Sequence, residues 1–302
     1  QISISFFFFF WTGRQLKTYL PVPNTAGRRI SIFSLFYKRN SESMKQLLLH
    51  LDDKGKQFFI SVGEASILAF KGVRGMLTPP FNFNLILKEV DNIGVKSLLV
   101  VCTISLFAGM VLALQTIYGL RYYGAELYVG SVVSLSMVRE MSPVLASIMV
   151  GGRIGSGIAA EIGSMQVTEQ IDAIRALGSD PIKKLVSPKI FAAIFMLPLL
   201  TVAADIVGVF GGMVVALTEL NIGYQYYLNT VWWTIGISDF CSGLGKTAFF
   251  GFIIAFFGCY FGLNAHGGTT GVGKATTVAV VTISLLIIVS DFFLTKLFFL
   301  VF

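Results

Sequence analysis

Long apolar stretches recur along residues 93–302, and each is close to or above the length that crosses a bilayer. The first is a charge-free run of 24 residues between Lys96 and Arg121. About 20 apolar residues span roughly 30 Å of hydrocarbon as a helix. The pattern therefore predicts an all-α membrane protein with five transmembrane helices. The five predicted spans are 97–120, 127–152, 190–217, 247–273 and 275–302.

Residues 44–92 predict an interfacial helical region ahead of the first span. Apolar side chains from Phe58 to Met76 recur every three or four positions, and lysines and arginines interleave with them. A basic amphipathic helix before a membrane span is typical of a helix that lies in the interface. A soluble helix packed on the membrane domain is the alternative. Residues 226–243 predict a second, shorter interfacial helix because they carry two adjacent tryptophans.

Residues 1–43 differ from the rest of the chain in charge. They carry six basic residues and one acidic residue, whereas residues 44–302 carry 17 basic and 15 acidic residues. Their run of phenylalanines is too short to span a bilayer. We expect an atypical N-terminal extension, either not native, with Met44 as the natural start, or a targeting segment such as a plastid transit peptide.

Composition supports the membrane assignment. Hydrophobic residues make up 55% of the chain, charged residues only 13%, and the mean hydropathy is +0.77. These values exclude an ordinary cytosolic enzyme, a disordered chain and a secreted disulfide scaffold. The basic excess lies in the N-terminal segment, so no nucleic-acid partner is expected. The loop 153–189 carries five basic residues, which predicts an N-in, C-out orientation by the positive-inside rule.

Charged residues inside the predicted spans are the candidates for function, because they are costly in lipid. Glu140 requires a cation from another helix, since the neighbouring Arg139 points about 100° away, and Lys246 is the candidate. Pro143 frees a backbone carbonyl beside this pair. The alternative is that the Glu140–Lys246 pair only holds the helices together. The other charged residues in or near the spans are Asp205, Asp239 and Asp291.

Two glycine-rich motifs do not support nucleotide binding. The segment 268–274 resembles a phosphate-binding loop, but Ala275 replaces the Ser or Thr that holds Mg²⁺. In the segment 155–163, small residues recur every four positions, which favours close helix packing over a dinucleotide site. The sequence contains no Ser-His-Asp, Cys-His or metal-ligand set. We therefore expect neither an enzyme nor a metal site.

The segment 161–180 predicts a short amphipathic helix that can dock into a partner's groove. Its apolar positions alternate with polar ones, and Gly178 and Asp180-Pro181 end the helix.

An ordered set of motifs from Met44 to Phe302 resembles the MlaE permease family, which includes the plant trigalactosyldiacylglycerol permease of the chloroplast envelope. The motifs are Arg139-Glu140-Met141-Ser142-Pro143-Val144, Gly152-Arg153-Ile154-Gly155, Ala160-Glu161-Ile162-Gly163-Ser164-Met165, Thr168-Glu169-Gln170-Ile171-Asp172-Ala173, Asp180-Pro181, Ser187-Pro188 and Leu197-Pro198-Leu199-Leu200-Thr201.

The resemblance implies the permease subunit of an ABC-type phospholipid transporter, with residues 93–302 as the permease domain. It implies a homodimer that works with a separate ATPase, which binds ATP and Mg²⁺, and with an MCE-domain lipid-binding protein. This chain would then hold no cofactor. The implied membrane is the bacterial inner membrane, or alternatively the plastid inner envelope.

Residue by residue, the resemblance places Glu140 and Lys246 in a lipid pocket with Arg139 beside them. We assign Asp205 and Asp239 to the same lipid path because they are charges within the spans. The segment 161–180 corresponds to the helix that couples the permease to its ATPase. Its candidate coupling residues are Glu161, Thr168, Glu169, Gln170, Asp172 and Arg175.

One rival from another functional class remains open on the sequence. An ion-coupled secondary transporter could use Asp205, Asp239 or Asp291 as protonation sites. Inverted repeats would favour that class, and the sequence shows none. A structural membrane anchor is a third possibility.

Overall fold

Helices account for all of the regular secondary structure in the computed structural model, which describes residues 60, 62–76, 83–220 and 222–301. The proposed extension 1–43 and about half of the predicted interfacial region 44–92 lie outside these residues. Residues 64–302 form one compact unit, and the architecture below concerns that unit. Within the described residues, five helices are long and apolar enough to cross a membrane, which confirms the predicted fold class.

The helices are numbered in chain order. Helix α1 covers residues 62–76. The helices that follow are α2 Phe83–Arg121, α3 Glu126–Val167, α4 Gln170–Ala176, α5 Ile182–Leu220, α6 Tyr224–Thr234, α7 Ile237–Leu263 and α8 Gly268–Val301. Helices α4 and α6 are short, and α2, α3, α5, α7 and α8 are the five spans.

The charge pattern misplaced the ends of several spans. Helix α2 begins at Phe83 and runs through the predicted domain boundary at residue 92, while α3 continues to Val167. Helix α7 begins at Ile237, not after Lys246, so the predicted interfacial helix 226–243 is in fact α6 plus the first residues of α7. A search for charge-free windows misses helical turns whose charges are paired inside the protein.

The predicted C-terminal end of the fourth span, at residue 273, is also wrong, because a turn separates α7 from α8. The uncharged residues 264–267 were counted as part of the fourth span, but they leave the helix. Gly267 and Gly268 adopt positive φ values of 90° and 71°, which favour glycine. The motif 268–274, which resembles a phosphate-binding loop, consequently forms the first turns of α8.

Small residues set the helix packing. On α3, Gly155 and Gly163 face the side chains of α8, and Cβ atoms built there would lie against Ile283 and Val272. Gly258 of α7 approaches the Gly155 carbonyl in the same way. This confirms that the segment 155–163 packs helices closely. A second close approach joins α2 to α5, where Gly109 lies against the backbone of Gly208.

Two apolar clusters form the core of the bundle. The larger joins α2, α3, α4, α5, α7 and α8, and the smaller joins α2, α3, α5 and α6 around Tyr227. The outer faces of the bundle remain apolar and exposed; on α8, for example, Val281, Leu285 and Phe292 are exposed. These faces suit contact with lipid or with another membrane subunit.

Candidate functional site

The centre of the site is an irregular turn of α3. Residues Met137–Met141 form a π-helical turn immediately before Ser142 and Pro143. Because proline has no N–H, the carbonyl four residues earlier, that of Arg139, lacks its helical partner. The Nζ atom of Lys246 donates to this carbonyl oxygen at 3.1 Å. The carbonyl that Pro143 frees is therefore satisfied by a cation from α7.

Lys246 also forms the ion pair that the sequence analysis predicted. Its side chain is only 2% exposed, and Nζ lies 2.8 Å from Oε2 of Glu140. A third acceptor, Oδ1 of Asp291 on α8, lies 3.3 Å from the same Nζ. Three helices are thus joined by a single buried ammonium group, which donates to Glu140 and to the Arg139 carbonyl and forms an ion pair with Asp291.

Arg139 is paired with a different acid. Its Nε atom donates to Oδ1 of Asp239 at 2.7 Å, and its Nη2 atom donates to the same oxygen. The other carboxylate oxygen of Asp239 accepts from the Gly236 backbone N–H at 2.9 Å, which caps the start of α7. The guanidinium carbon of Arg139 lies 5.6 Å from the centre of the Phe299 ring.

These groups line a cavity of about 150 Å³ between α3, α7 and α8. Arg139 and Glu140 are its accessible charges, with side-chain exposures of 35% and 39%, whereas Lys246 and Asp239 are buried. Aromatic side chains and hydroxyl groups complete the wall. The lining residues are Arg139, Glu140, Ser238, Asp239, Ser242, Lys246, Thr295, Phe298 and Phe299.

The sequence analysis did not assign α8 to this site. Asp291, Thr295 and Phe299 recur every four residues, which places them on one face of a helix. The Thr295 hydroxyl lies within hydrogen-bonding distance of Glu140, at 3.2 Å from Oε1. The spacing was visible in the sequence, but nothing in it indicated that this face of α8 meets α3.

Asp205 lies elsewhere. It is on α5, is 6% exposed and does not line the cavity, so the structure does not place it with the other four predicted lipid-site residues. No hydrogen bond to its Oδ1 occurs within the described part of the chain. Membership of a span, which was the reason for grouping it with them, does not determine which helix face a residue occupies.

The predicted coupling segment divides into two parts. Glu161 belongs to the last turns of α3, and only Gln170–Ala176 forms the short helix α4. Glu169, at the start of α4, has a left-handed backbone with φ of 60°. Buried Ile171 anchors α4 to the bundle. The remaining candidates are exposed to solvent, namely Thr168, Glu169, Gln170, Asp172 and Arg175.

Glu161 is part of an ion triad that the sequence analysis missed. Nζ of Lys189 on α5 lies 2.7 Å from Oε2 of Glu161 and 2.6 Å from Oε1 of Glu89 on α2. Lys189 is almost fully buried, although the sequence analysis counted it as a loop charge. The triad joins α2, α3 and α5 near the start of α5, at the end of the bundle that carries α4.

Comparison with known proteins identifies the family. The model of the family described as permease MlaE matches residues 86–297. A probable ABC transporter permease protein of Rickettsia bellii is 45% identical over 79% of this chain and 92% of its own length. A probable ABC transporter permease protein of Synechocystis is 43% identical over 70% and 81%. The intermembrane phospholipid transport system permease protein MlaE of Haemophilus influenzae is 32% identical over 81% and 95%.

Proposed function

Because the chain belongs to the MlaE permease family, we propose that it is the membrane-spanning subunit of an ABC-type phospholipid transporter. In this role the chain forms the lipid path, and a separate ATPase supplies the energy. The family assignment favours this function over an ion-coupled secondary transporter.

The observation that carries the proposal is the mixed-charge cavity between α3, α7 and α8. Glu140 lies 14 residues from the start of α3, or about 21 Å along the helix, and the cavity lies where this turn of α3 meets the first residues of α7 and the last residues of α8. A phospholipid combines a charged headgroup with apolar tails. Arg139 and Glu140 can contact the headgroup, while Phe298 and Phe299 and the apolar helix faces accept the tails.

The partners follow from the same assignment. We propose that ATP and Mg²⁺ bind to the partner ATPase, which contacts the exposed surface of α4. Closure of two ATPase subunits would push α4 and, through α3, change the shape of the cavity. A homodimer with an MCE-domain protein as lipid carrier completes the proposed assembly. The exposed apolar face of α8 is available for contacts between subunits.

The chain is a multi-pass membrane protein, and we propose the bacterial inner membrane as its location. The N-terminus and α4 would lie on the cytoplasmic side. The basic residues Arg175 of α4 and Lys183 and Lys184 at the start of α5 support this orientation.

Reversing the acidic charges of α4 tests the ATPase contact. In the double variant Glu169→Lys and Asp172→Lys, we expect recovery of the ATPase in a pull-down to fall on the order of tenfold, because like charges at an interface are repulsive. Both side chains are exposed, so stability should change by less than about 0.5 kcal/mol.

The matched control is Glu219→Lys, which reverses an exposed acid at the far end of α5. It should leave ATPase recovery unchanged. Equal recovery of the ATPase with the α4 variant and with wild type would contradict the assignment of α4 as the coupling helix.

A further inference from the structure

The hydrogen-bonding capacity left in the charged cavity identifies the headgroup that it can hold. This inference rests on the proposed function, because it concerns the lipid that the cavity takes. The two cations and three carboxylates of the site are Arg139, Lys246, Glu140, Asp239 and Asp291. The donors and acceptors that these groups leave unused determine what the cavity can bind.

Lys246 is already held by groups of the protein itself. Its ammonium group carries three N–H donors, and three oxygen atoms lie within 3.3 Å of Nζ. The side chain lines the cavity but is only 2% exposed. A lipid phosphate therefore cannot replace one of these contacts without leaving a carboxylate or a carbonyl unpaired.

Arg139 does have free donors. Its Nε and Nη2 atoms are committed to Asp239, but Nη1 makes no hydrogen bond to any described residue. About a third of the side chain is exposed, and it lines the cavity. A guanidinium edge with free N–H groups suits a phosphate oxygen.

Glu140, next to Arg139 in the chain, has a carboxylate oxygen that can accept a further hydrogen bond. Its Oε2 atom faces Lys246, while Oε1 has only the Thr295 hydroxyl at 3.2 Å. That hydroxyl has one hydrogen, and the carbonyl of Asp291 is a closer acceptor at 2.8 Å. The Glu140 carboxylate, 39% exposed, therefore presents an open oxygen to the cavity.

From this pairing we propose that the cavity selects phospholipids with a primary ammonium next to the phosphate, which is the phosphatidylethanolamine class. Arg139 Nη1 takes the phosphate, and Glu140 Oε1 takes the ammonium. A phosphatidylglycerol headgroup satisfies Arg139 but offers Oε1 of Glu140 only neutral hydroxyl groups, which donate weaker hydrogen bonds than an ammonium. A phosphatidylcholine headgroup has the positive charge but no N–H to donate.

A competition between headgroups tests the proposal. The full chain is exchanged into vesicles of equal parts phosphatidylethanolamine, phosphatidylcholine and phosphatidylglycerol, purified, and the retained lipids are quantified by mass spectrometry. We expect enrichment of phosphatidylethanolamine over phosphatidylglycerol on the order of tenfold, the effect of one charge-assisted hydrogen bond. Equal retention of the classes, or enrichment of phosphatidylglycerol, would overturn the proposal.

Two variants separate the roles of the charges. Glu140→Gln should abolish the enrichment of phosphatidylethanolamine, because a neutral amide does not attract the headgroup ammonium. Arg139→Lys keeps a cation opposite Asp239 but removes the guanidinium edge, so it should lower all three classes together. Lys274→Gln, an exposed lysine outside the cavity, is the control and should match wild type. Unchanged enrichment in Glu140→Gln would overturn the role of Glu140.

The competition on wild-type protein requires no variant, so a variant that fails to fold does not remove the test. The outcome also distinguishes failure of the headgroup assignment from failure of the proposed function. Retention of phospholipid without headgroup preference contradicts only the headgroup assignment. Retention of no phospholipid, together with no ATP-dependent lipid movement, contradicts the proposed function itself.

Discussion

Replacing Lys246 by methionine is expected to lower the free energy of unfolding by about 3–5 kcal/mol and to abolish lipid transport. Methionine has a similar volume but leaves the carboxylates of Glu140 and Asp291 without their cation. It also leaves the Arg139 carbonyl without the donor that compensates for Pro143. Thermal unfolding of the purified protein and lipid movement in vesicles would measure the two effects.

The control for this variant is Lys296→Met, which removes an exposed lysine from α8 and should change stability by less than about 0.5 kcal/mol. The charge swap Glu140→Lys with Lys246→Glu should not restore stability. A glutamate at position 246 cannot donate to the Arg139 carbonyl, and it adds a second acid near Asp291. Wild-type stability in Lys246→Met, or full rescue by the swap, would contradict this description of the site.

A second large effect is expected at Lys189. Lys189→Met should lower the free energy of unfolding by about 3 kcal/mol, the lower end of the range for one lost partner of a buried pair. The lower value applies because Glu89 becomes a largely buried, unpaired acid, whereas Glu161 is half exposed and stays hydrated. ATP-dependent transport should also fall, because the triad holds the end of α3 that leads to α4.

Adding Glu89→Gln to Lys189→Met tests the physical cause. The double variant should recover most of the lost stability, because removal of both members of a buried ion pair is often nearly neutral. Lys184→Met, an exposed lysine on the same helix, is the control. If the double variant were as unstable as Lys189→Met, the loss of a buried ion pair would not be the cause.

The sequence predicted the parts of the site that depend on local rules. The contact between Glu140 and Lys246 followed from the cost of an unpaired charge in lipid, and the free carbonyl followed from Pro143. The packing of the segment 155–163 followed from small residues at helical spacing. Each of these rules starts from the residue types along a single helix and the knowledge that lipid surrounds it.

The parts that were missed depend on which helices are neighbours. The pairing of Arg139 with Asp239 needs the start of α7 to lie beside the middle of α3, and no periodicity gives that. Lys189 was counted as a loop charge because a lysine near a span normally indicates the cytoplasmic side. Two acids, Glu161 and Glu89, which lie 28 and 100 residues away in the chain, pair with Lys189 and make its burial possible.

The central claim is that this chain moves phospholipid with energy from an ATPase partner. Its most direct test is the movement of labelled phospholipid between vesicles that contain the full chain, its co-purified ATPase and ATP. The account predicts lipid movement that requires all three and that stops when ATP is replaced by a non-hydrolysable analogue. Lipid movement that needs neither ATPase nor ATP, or transport driven by a proton or ion gradient alone, would contradict it.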